Sequence, residues 1–172
     1  MFLKVAPISL YLPSRLGNHE RIEKQIRADL TTAMKAREKE RTGTLRMLLA
    51  AIQTEETSGS KHELTDEDVL KVIAREIKKR RESAEVYAEA GRSELADAET
   101  NEANILAEYQ PQQLDDDELA ALVAEAVAQV KAELGEDVSM KQMGQVMKLA
   151  TAQAAGRADG KRLSTAVRAA LA

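Results

Sequence analysis

Apolar residues recur at intervals of three and four along most of this chain, with charged residues between them, as in amphipathic α-helices. One run extends from Arg21 to about Arg37. A second begins near Thr42 or Thr44, where a threonine hydroxyl can cap the free amides of a first helical turn. A third opens at Thr65, which forms a capping-box pair with Asp68, and continues to about Glu89. The three apolar stripes contain, in order, Ile22, Ile26, Leu30, Ala33 and Met34; Leu45, Leu48, Leu49 and Ile52; and Val69, Ile73, Ile77 and Ala84.

The middle of the chain continues the helical pattern across two breaks. Gly91 is predicted to end the third helix, and a fourth continues to Pro111, whose ring disfavours a helical residue before it. The acidic run Asp115 to Glu118 resembles a cation site. Acids in a first helical turn complement the helix dipole, however, so the run favours a helix start capped by Asp115, with Glu118 as its reciprocal partner. The helix that follows carries the stripe Leu119, Leu122, Val123, Ala126, Val127, Val130 and Leu134.

Two short helices are predicted at the end of the chain. Ser139 and Gln142 form a capping pair that opens the first of them. Its apolar side, Met140, Met143, Met147 and Ala150, is typical of an adaptable core. The segment 156–160 has two glycines in five residues and predicts a tight turn before the last helix, whose stripe is Leu163, Val167, Ala170 and Leu171.

These elements predict an all-α protein in which an N-terminal helical domain of about four helices precedes a small three-helix tail domain. We place the N-terminal domain at residues 19–110 and the tail domain at residues 111–172, with the boundary at Pro111. Residues 1–18 are apolar but interrupted by Pro7 and Pro13, and no small-residue cleavage site follows. We therefore expect a flexible N-terminal extension.

The composition excludes several classes of site. The aromatic residues are Phe2, Tyr11, Tyr87 and Tyr109, and the chain has no cysteine, which removes disulfides, thiolate catalysis and cysteine-containing metal sites. The two histidines, His19 and His62, lie far apart in polar surroundings and read as surface residues. No apolar run reaches the ~18 residues of a membrane span. We therefore expect a cytoplasmic protein without catalytic residues, metal or cofactor.

Charge is unevenly distributed along the chain. The net charge of residues 1–81 is +5, that of residues 82–137 is −14, and that of residues 138–172 is +5, which together give −4. An acidic total argues against a nucleic-acid partner, but local basic surfaces decide where phosphates bind. Both ends of the chain therefore stay candidates for such a surface.

The cations of the last segment form the main candidate site. Lys141 and Lys148 are seven residues apart and share one helix face, and the same holds for Lys161 and Arg168. Two arginines, Arg157 and Arg162, flank the glycine turn, where a phosphate can approach the backbone closely. The alternative is that Asp159 only caps the last helix and that Gly156 and Gly160 only permit the turn.

A second basic surface is predicted on the third helix. Lys71, Arg75, Lys78 and Lys79 lie about 200° around the helix from its apolar stripe. This pattern indicates either a solvated face with intrahelical ion pairs or a contact with an anionic partner. We add Tyr87 and the cluster Lys78 to Arg81 to this second candidate surface.

The residues also limit the kind of nucleic-acid binding that is expected. The glycine turn lacks the spacing and the preceding strand of a nucleotide-binding P-loop. Sequence-specific RNA readers usually stack bases on aromatic rings, and near the tail domain the sequence offers only Tyr109. Recognition here must use phosphates, 2′-hydroxyls and shape, which favours a folded RNA over a single strand.

Five ordered segments resemble a known family, the GatB/YqeY group, which includes small freestanding YqeY-like proteins and the tail of the B subunit of tRNA-dependent amidotransferase. The resemblance covers about residues 22–171. It rests on TLRMLLAAIQTEE at 44–56, KKRRESAEVYAEAGRSELADAE at 78–99, YQPQQL at 109–114, SMKQMGQVM at 139–147 and GRADGKRLS at 156–164.

The resemblance implies a helical domain followed by a three-helix tail domain, which in the amidotransferase subunit helps to engage tRNA. By this likeness the RNA-facing positions are Lys141, Lys148, Arg157, Lys161 and Arg162, while Gly156, Asp159 and Gly160 shape the turn. The sequence departs from the family pattern at three glutamines. Gln110 replaces a usual leucine, and Gln112 and Gln145 replace frequent lysines, which removes two positive charges.

Three functions follow as expectations. The first is a non-catalytic accessory module of translation that binds tRNA, or associates with an amidotransferase, through its tail domain. The second is a protein-interaction module that docks on an amidotransferase or another translation component without binding RNA. The third, implied by the family name alone, is a carbon–nitrogen ligase with glutamine as amido-N-donor, for which the residues offer no nucleophile and no nucleotide loop.

Overall fold

The computed structural model describes residues 21–59 and 63–172. The chain divides into two compact units, unit 1 up to Gln110 and unit 2 from Pro111 to Ala172. All regular structure in the described residues is helical, in seven α-helices and one 3-10 turn, so the all-α prediction is confirmed. The extension expected at residues 1–18, and both histidines, lie outside the described residues.

Unit 1 contains four helices, α1 (Arg21–Lys35), α2 (Lys39–Thr57), α3 (Asp66–Glu89) and α4 (Ser93–Ala107). α1 packs mainly against α2, and α3 packs mainly against α4. Gly91 has a φ of 72° and allows the tight turn between α3 and α4. The core is built from Ile26, Leu45, Leu48, Ile52, Leu64, Val69, Val72, Ile73, Ile77, Ala103, Leu106 and Tyr109.

The helix starts of unit 1 were predicted with mixed success. The capping box at α3 is confirmed, because Thr65 Oγ1 accepts a 3.2 Å bond from Asp68 N and Asp68 Oδ2 accepts a 3.1 Å bond from Thr65 N. The prediction that Thr42 or Thr44 caps the start of α2 is wrong. α2 begins at Lys39 after an N-cap residue without a side-chain cap, and both Thr42 and Thr44 lie within the helix.

The reason for this early start is a backbone turn that needs no hydroxyl. Arg37 adopts a left-handed conformation with a φ of 58°. The N–H of Glu38 reaches the carbonyl of Ala33 at 3.0 Å, which reverses the chain directly into α2. Thr44 is instead a core residue, 1% exposed, whose Oγ1 has no hydrogen-bond partner among the described residues.

Unit 2 contains α5 (Asp116–Leu134), a 3-10 turn at Met140–Gln142, α6 (Met143–Ala154) and α7 (Gly160–Leu171). Both predicted capping boxes are confirmed, that of Asp115 with Glu118 and that of Ser139 with Gln142. Met143 and Met147 pack against the core as expected, but Met140 is 49% exposed. The core is built from Leu114, Leu119, Val123, Ala126, Val130, Val146, Ala150, Ala154, Ala158, Leu163 and Val167.

Within the described residues, no helix combines the length and the apolar character that crossing a membrane demands.

Candidate nucleic-acid interface

Four exposed cations lie on α6, on α7 and on the 3-10 turn before α6. On α6 the buried side is marked by Val146 and Ala150, and Lys148 lies on the opposite side of the helix. On α7 the buried side is marked by Leu163 and Val167, and the two exposed cations again point away from it. We define the tail cations as Lys141, Lys148, Lys161 and Arg168, all of which are exposed.

None of the tail cations takes part in an ion pair with another described residue. The ion pairs of unit 2 join Lys131 to Asp137, Arg157 to Glu118 and Arg162 to Asp116. Charges without a nearby carboxylate are free to neutralise a phosphate without first breaking a pair. The tail cations are therefore the part of the predicted site that is best suited to an anionic partner.

The two arginines at the glycine turn are engaged within unit 2. Arg157 Nε donates to the carbonyl of Gln112 at 2.9 Å, and its guanidinium lies 3.8 Å from Glu118. Arg162 Nη2 donates to Asp116 Oδ1 at 3.0 Å. Both residues were predicted as RNA-facing. The structure shows that their guanidinium groups tie the turn to the start of unit 2 and to the first turn of α5.

Two further hydrogen bonds to backbone carbonyls join the start of unit 2 to the glycine turn. Leu114 N donates to the carbonyl of Arg157 at 2.8 Å, and Gln113 Nε2 donates to the carbonyl of Gly156 at 3.2 Å. The two segments that carry the family resemblance at 109–114 and 156–164 thus contact each other at residues 112–114 and 156–157. These contacts connect the first residues of unit 2 to the turn between α6 and α7. They give residues 112–114 and 156–157 a structural role that needs no bound ligand.

The turn between α6 and α7 follows its predicted chemistry in part. Ala155 and Gly156 both have positive φ, of 48° and 81°, and end α6. Asp159 Oδ1 accepts a 2.7 Å bond from Arg162 N and caps α7. Gly160 is the first residue of α7, and a Cβ added there meets nothing within 4 Å. The described geometry therefore favours glycine at 156, where φ is 81°, and does not require it at 160.

Acids beside the turn shape its electrostatics. The hydrogen bond from Glu118 N–H lowers the pKa of Asp115 below its ordinary value, with a smaller contribution from the charge of Arg162. Asp116 and Glu118 also lie beside the two arginines. The glycine turn is therefore a mixed surface of both signs, unlike the outer sides of α6 and α7.

The predicted second basic surface is exposed but largely paired. Lys71 lies 3.7 Å from Glu67, Arg75 lies 3.1 Å from Glu55 and Lys78 lies 4.0 Å from Glu82. Lys79 is exposed as well. Three of these four cations thus have a carboxylate beside them. The pairs of Lys71 and Lys78 lie within α3, whereas Arg75 pairs with Glu55 of α2.

Arg80, which we had counted in the cluster Lys78 to Arg81, is buried at 5% exposure. Its Nη1 donates to Glu76 Oε2 at 2.9 Å and its Nε donates to Glu102 Oε2 at 3.1 Å, which joins α3 to α4. A shallow hollow of about 170 Å³ lies over this ion network. The cluster is therefore divided between surface and interior, because Arg80 falls on the apolar side of α3.

Tyr109 is not available to stack on a base. It is 8% exposed, and its hydroxyl donates a 2.6 Å hydrogen bond to Asp29 Oδ2. Burial and this hydrogen bond raise the pKa of Tyr109 above its ordinary value of 10.0. Among the described residues, no group of three or more His, Cys, Asp or Glu side chains is placed to hold a metal ion.

One set of exposed cations was missed from the sequence. Lys35, Arg37 and Lys39 lie in and beside the turn between α1 and α2, and none forms an ion pair with another described residue. Their spacing of two residues was a usable signal. The alternating acids Glu38 and Glu40 weaken that signal in the sequence.

Comparison with known proteins gives two findings. The family model described as Yqey-like protein matches residues 23–171. An uncharacterized protein of Schizosaccharomyces pombe is 37% identical to this chain over 87 residues, which are 51% of this chain and 70% of the relative.

Proposed function

This chain belongs to the family of Yqey-like proteins, and from that membership we propose that it is a non-catalytic, cytoplasmic accessory module of translation that binds tRNA through unit 2. The resemblance of unit 2 to the tail of the amidotransferase B subunit gives the class of RNA. The tail cations give the surface. Arg157 and Arg162 are not part of the proposed RNA-binding surface, because their guanidinium groups bond to other residues of unit 2.

The observation that carries the proposal is the contrast between paired and unpaired cations. On unit 2 the arginines at the turn have carboxylate partners, whereas Lys141, Lys148, Lys161 and Arg168 have none among the described residues. Each lysine or arginine that neutralises a phosphate releases counterions, which makes the affinity fall with salt. Four such contacts are enough for salt-sensitive binding that reads shape and not sequence.

The test is a titration of labelled bulk tRNA with the full chain at several salt concentrations. We expect the double variant Lys148→Glu with Lys161→Glu to bind at least about tenfold more weakly than wild type, with a salt slope reduced by about 2. The matched control is Lys71→Glu with Lys78→Glu, which reverses two exposed lysines that already have carboxylate neighbours. Wild type that fails to bind at low salt contradicts the proposal, and so does a tail variant that binds like wild type.

A second candidate function is docking on a protein of the translation apparatus, favoured by an exposed apolar pair on α3 and α4. Val86 is 64% exposed and Leu95 is 38% exposed, and both lie in the segment 78–99 that carries part of the family resemblance. Pull-down with wild type and with Val86→Ser plus Leu95→Ser tests this candidate. A partner lost only in the variant, together with no tRNA binding, places docking ahead of RNA binding.

Autonomous amide transfer is not part of the proposal. We expect purified protein to release no glutamate from glutamine, and turnover in such a glutaminase assay would replace the accessory role by the ligase hypothesis.

A further inference from the structure

The turn between α1 and α2 carries an exposed group of cations. Lys35 ends α1, Arg37 lies in the turn and Lys39 begins α2. Arg46 lies seven residues after Lys39, on the same side of α2. We define the turn patch as Lys35, Arg37, Lys39 and Arg46, all of which are exposed.

The positive charge of the turn patch is not neutralised by neighbouring acids. The acids in this segment are outnumbered by cations, and Glu38 lies beside a cation outside the patch. Segment 35–46 contains five cations and two acids, Glu38 and Glu40. Glu38 lies 3.6 Å from Arg41. The guanidinium of Arg41 in turn makes a bidentate pair with Glu108, with both N···O distances 2.8 Å. The described residues form no ion pair with any member of the turn patch, and Arg46 has only a 3.8 Å contact with Met34 Sδ.

This arrangement differs from the basic stripe of α3, which has the same number of cations. On α3 three of the four cations have carboxylates within 4.0 Å. Unpaired like charges that crowd a short turn repel one another, and an anion that spans them relieves this repulsion. All four cations of the turn patch are therefore unpaired among the described residues, whereas Lys79 is the one unpaired cation of the four on the α3 stripe.

Arg37 adds an independent indication. Its left-handed φ of 58° is a conformation in which glycine is the usual residue after a helix. A side chain with a Cβ is strained there, so arginine is not the residue that would give the most stable turn. The position holds a charge at the expense of local stability, which is the pattern found where a residue has a role beyond folding.

From these observations we infer that the turn patch is a second phosphate-binding surface for tRNA, in addition to the tail cations. This inference rests on the proposed function and extends it to unit 1. RNA fits better than a protein partner. The centres of protein interfaces are depleted in lysine and rich in apolar side chains, whereas the four residues of the turn patch are all charged and the large exposed apolar residues next to them in the chain are Met34 and Met47.

The first experiment compares three double variants of the full chain in the tRNA titration. The turn variant is Lys35→Glu with Lys39→Glu, the control is Lys71→Glu with Lys78→Glu, and the tail variant is Lys148→Glu with Lys161→Glu. Each reverses two exposed lysines. Reversal at Lys39 places an acid in the first turn of α2, where the helix dipole favours it, and this offsets the reversal at Lys35 in the last turn of α1, where the dipole favours a cation. The two opposite effects leave the turn variant folded, which thermal unfolding checks.

We expect the turn variant to reduce the salt slope by about 2 and the affinity by about tenfold or more, while the control changes the affinity by about threefold at most. A turn variant that binds like the control overturns this inference while the tail variant still tests the proposed function. Wild type that does not bind tRNA at low salt overturns both.

The second experiment uses Arg37 alone, because strain and charge predict effects of opposite direction. Arg37→Gly is expected to raise the melting temperature by a few degrees and to weaken tRNA binding by about threefold to tenfold. Arg37→Lys keeps the charge and the strain, so both quantities are expected to stay near wild type. If Arg37→Gly is more stable and binds tRNA as well as wild type, Arg37 has no role in RNA binding and the turn patch is overturned at its central residue.

Discussion

Both units are built from packed helices, but the side chains that form their cores differ. The core of unit 1 consists of isoleucine, leucine and valine together with one alanine and one tyrosine, and the unit also buries two polar residues, Arg80 and Thr44. Unit 2 has four alanines among its eleven core residues and buries no polar or charged side chain. Its polar contacts are exposed or partly exposed, and several of them lie at helix ends and in the loop before α5.

The difference shows where each unit gains its specificity. A buried ion network is satisfied only when its partners are placed correctly, so it fixes how α3 and α4 pair in unit 1. Small alanine side chains let the helices of unit 2 approach closely, and capping boxes define where its helices begin. Unit 1 is therefore expected to be sensitive to changes in buried polar groups, and unit 2 to changes at helix ends.

The largest effect that would test this comparison is the removal of Arg80. Arg80→Ala leaves the partly buried carboxylates of Glu76 and Glu102 without their cation, so we expect the free energy of unfolding to fall by about 3 kcal/mol. Urea unfolding measures it. The matched control is Arg75→Ala, whose exposed ion pair with Glu55 should contribute less than about 1 kcal/mol. Equal losses in the two variants would mean that burial of the ion network does not distinguish unit 1.

The next prediction concerns the pH dependence of stability, which is expected at alkaline pH in unit 1 and at acid pH in unit 2. The raised pKa of Tyr109 means that its contribution to stability is complete below pH 10 and is lost as the pH rises towards the folded value. Tyr109→Phe is expected to lower the free energy of unfolding at pH 7 by about 2 kcal/mol and to remove this alkaline dependence. Thermal unfolding between pH 7 and 11 checks both points. An unchanged alkaline dependence in the variant would contradict the assignment to Tyr109.

In unit 2 the dependence has the opposite direction. The pKa of Asp115 is lowered, so its cap stabilises α5 above the ordinary value of 3.8 and is lost as the pH falls through the folded value. Asp115→Asn, which caps without a charge, should therefore show a weaker acid dependence than wild type between pH 5 and 2. The measurement is the α5 amide resonances followed by NMR, and identical acid profiles would show that the charge of Asp115 is irrelevant.

A smaller effect tests the role of helix ends directly. Asp159→Ala removes the bond to Arg162 N at the start of α7 and is expected to lower the free energy of unfolding by about 1 kcal/mol. Glu125→Ala, an exposed change within α5, is the control and should stay within about 0.5 kcal/mol of wild type. The difference between the two variants, measured by urea unfolding, isolates the cap from the loss of a negative charge.

The smallest expected effect is a gain in unit 1. Thr44→Val replaces a buried hydroxyl that lacks a partner by a methyl group, so we expect the free energy of unfolding to rise by about 1 kcal/mol or slightly less. Thr54→Val is the control, because Thr54 Oγ1 is exposed and bonded to the carbonyl of Ala50 at 2.9 Å, and it should give no gain. A loss of stability in Thr44→Val would indicate that the hydroxyl has a partner, such as an ordered water.

The sequence predicted what depends on neighbours along the chain. Helical periodicity and three capping boxes, at Thr65, Asp115 and Ser139, are local signals, and the structure confirms all three starts. The start of α2 was missed because it depends on the backbone of Arg37, in a residue type that does not indicate a left-handed turn.

Contacts between distant residues were not predictable in this way. Arg80 pairs with Glu102, 22 residues later, and Tyr109 bonds to Asp29, 80 residues earlier. Arg162 pairs with Asp116, 46 residues earlier. In the sequence these residues look like surface cations and a free aromatic ring. Such contacts decide which cations of the candidate site have carboxylate partners, and the sequence alone does not distinguish paired from unpaired cations among the six predicted tail positions.

The loop closure at the start of unit 2 has a consequence for the order in which the protein is made. Gln113 finds its partner at Gly156, 43 residues later, so the first residues of unit 2 leave the ribosome long before the segment that holds them. At ~5–20 residues per second, the delay is roughly 2 to 9 seconds. During this interval unit 1 is complete in sequence and can fold, whereas the apolar face of α5 has no α6 to pack against. Slowing translation between codons 114 and 157 would therefore lengthen the exposure of the α5 apolar face without affecting unit 1.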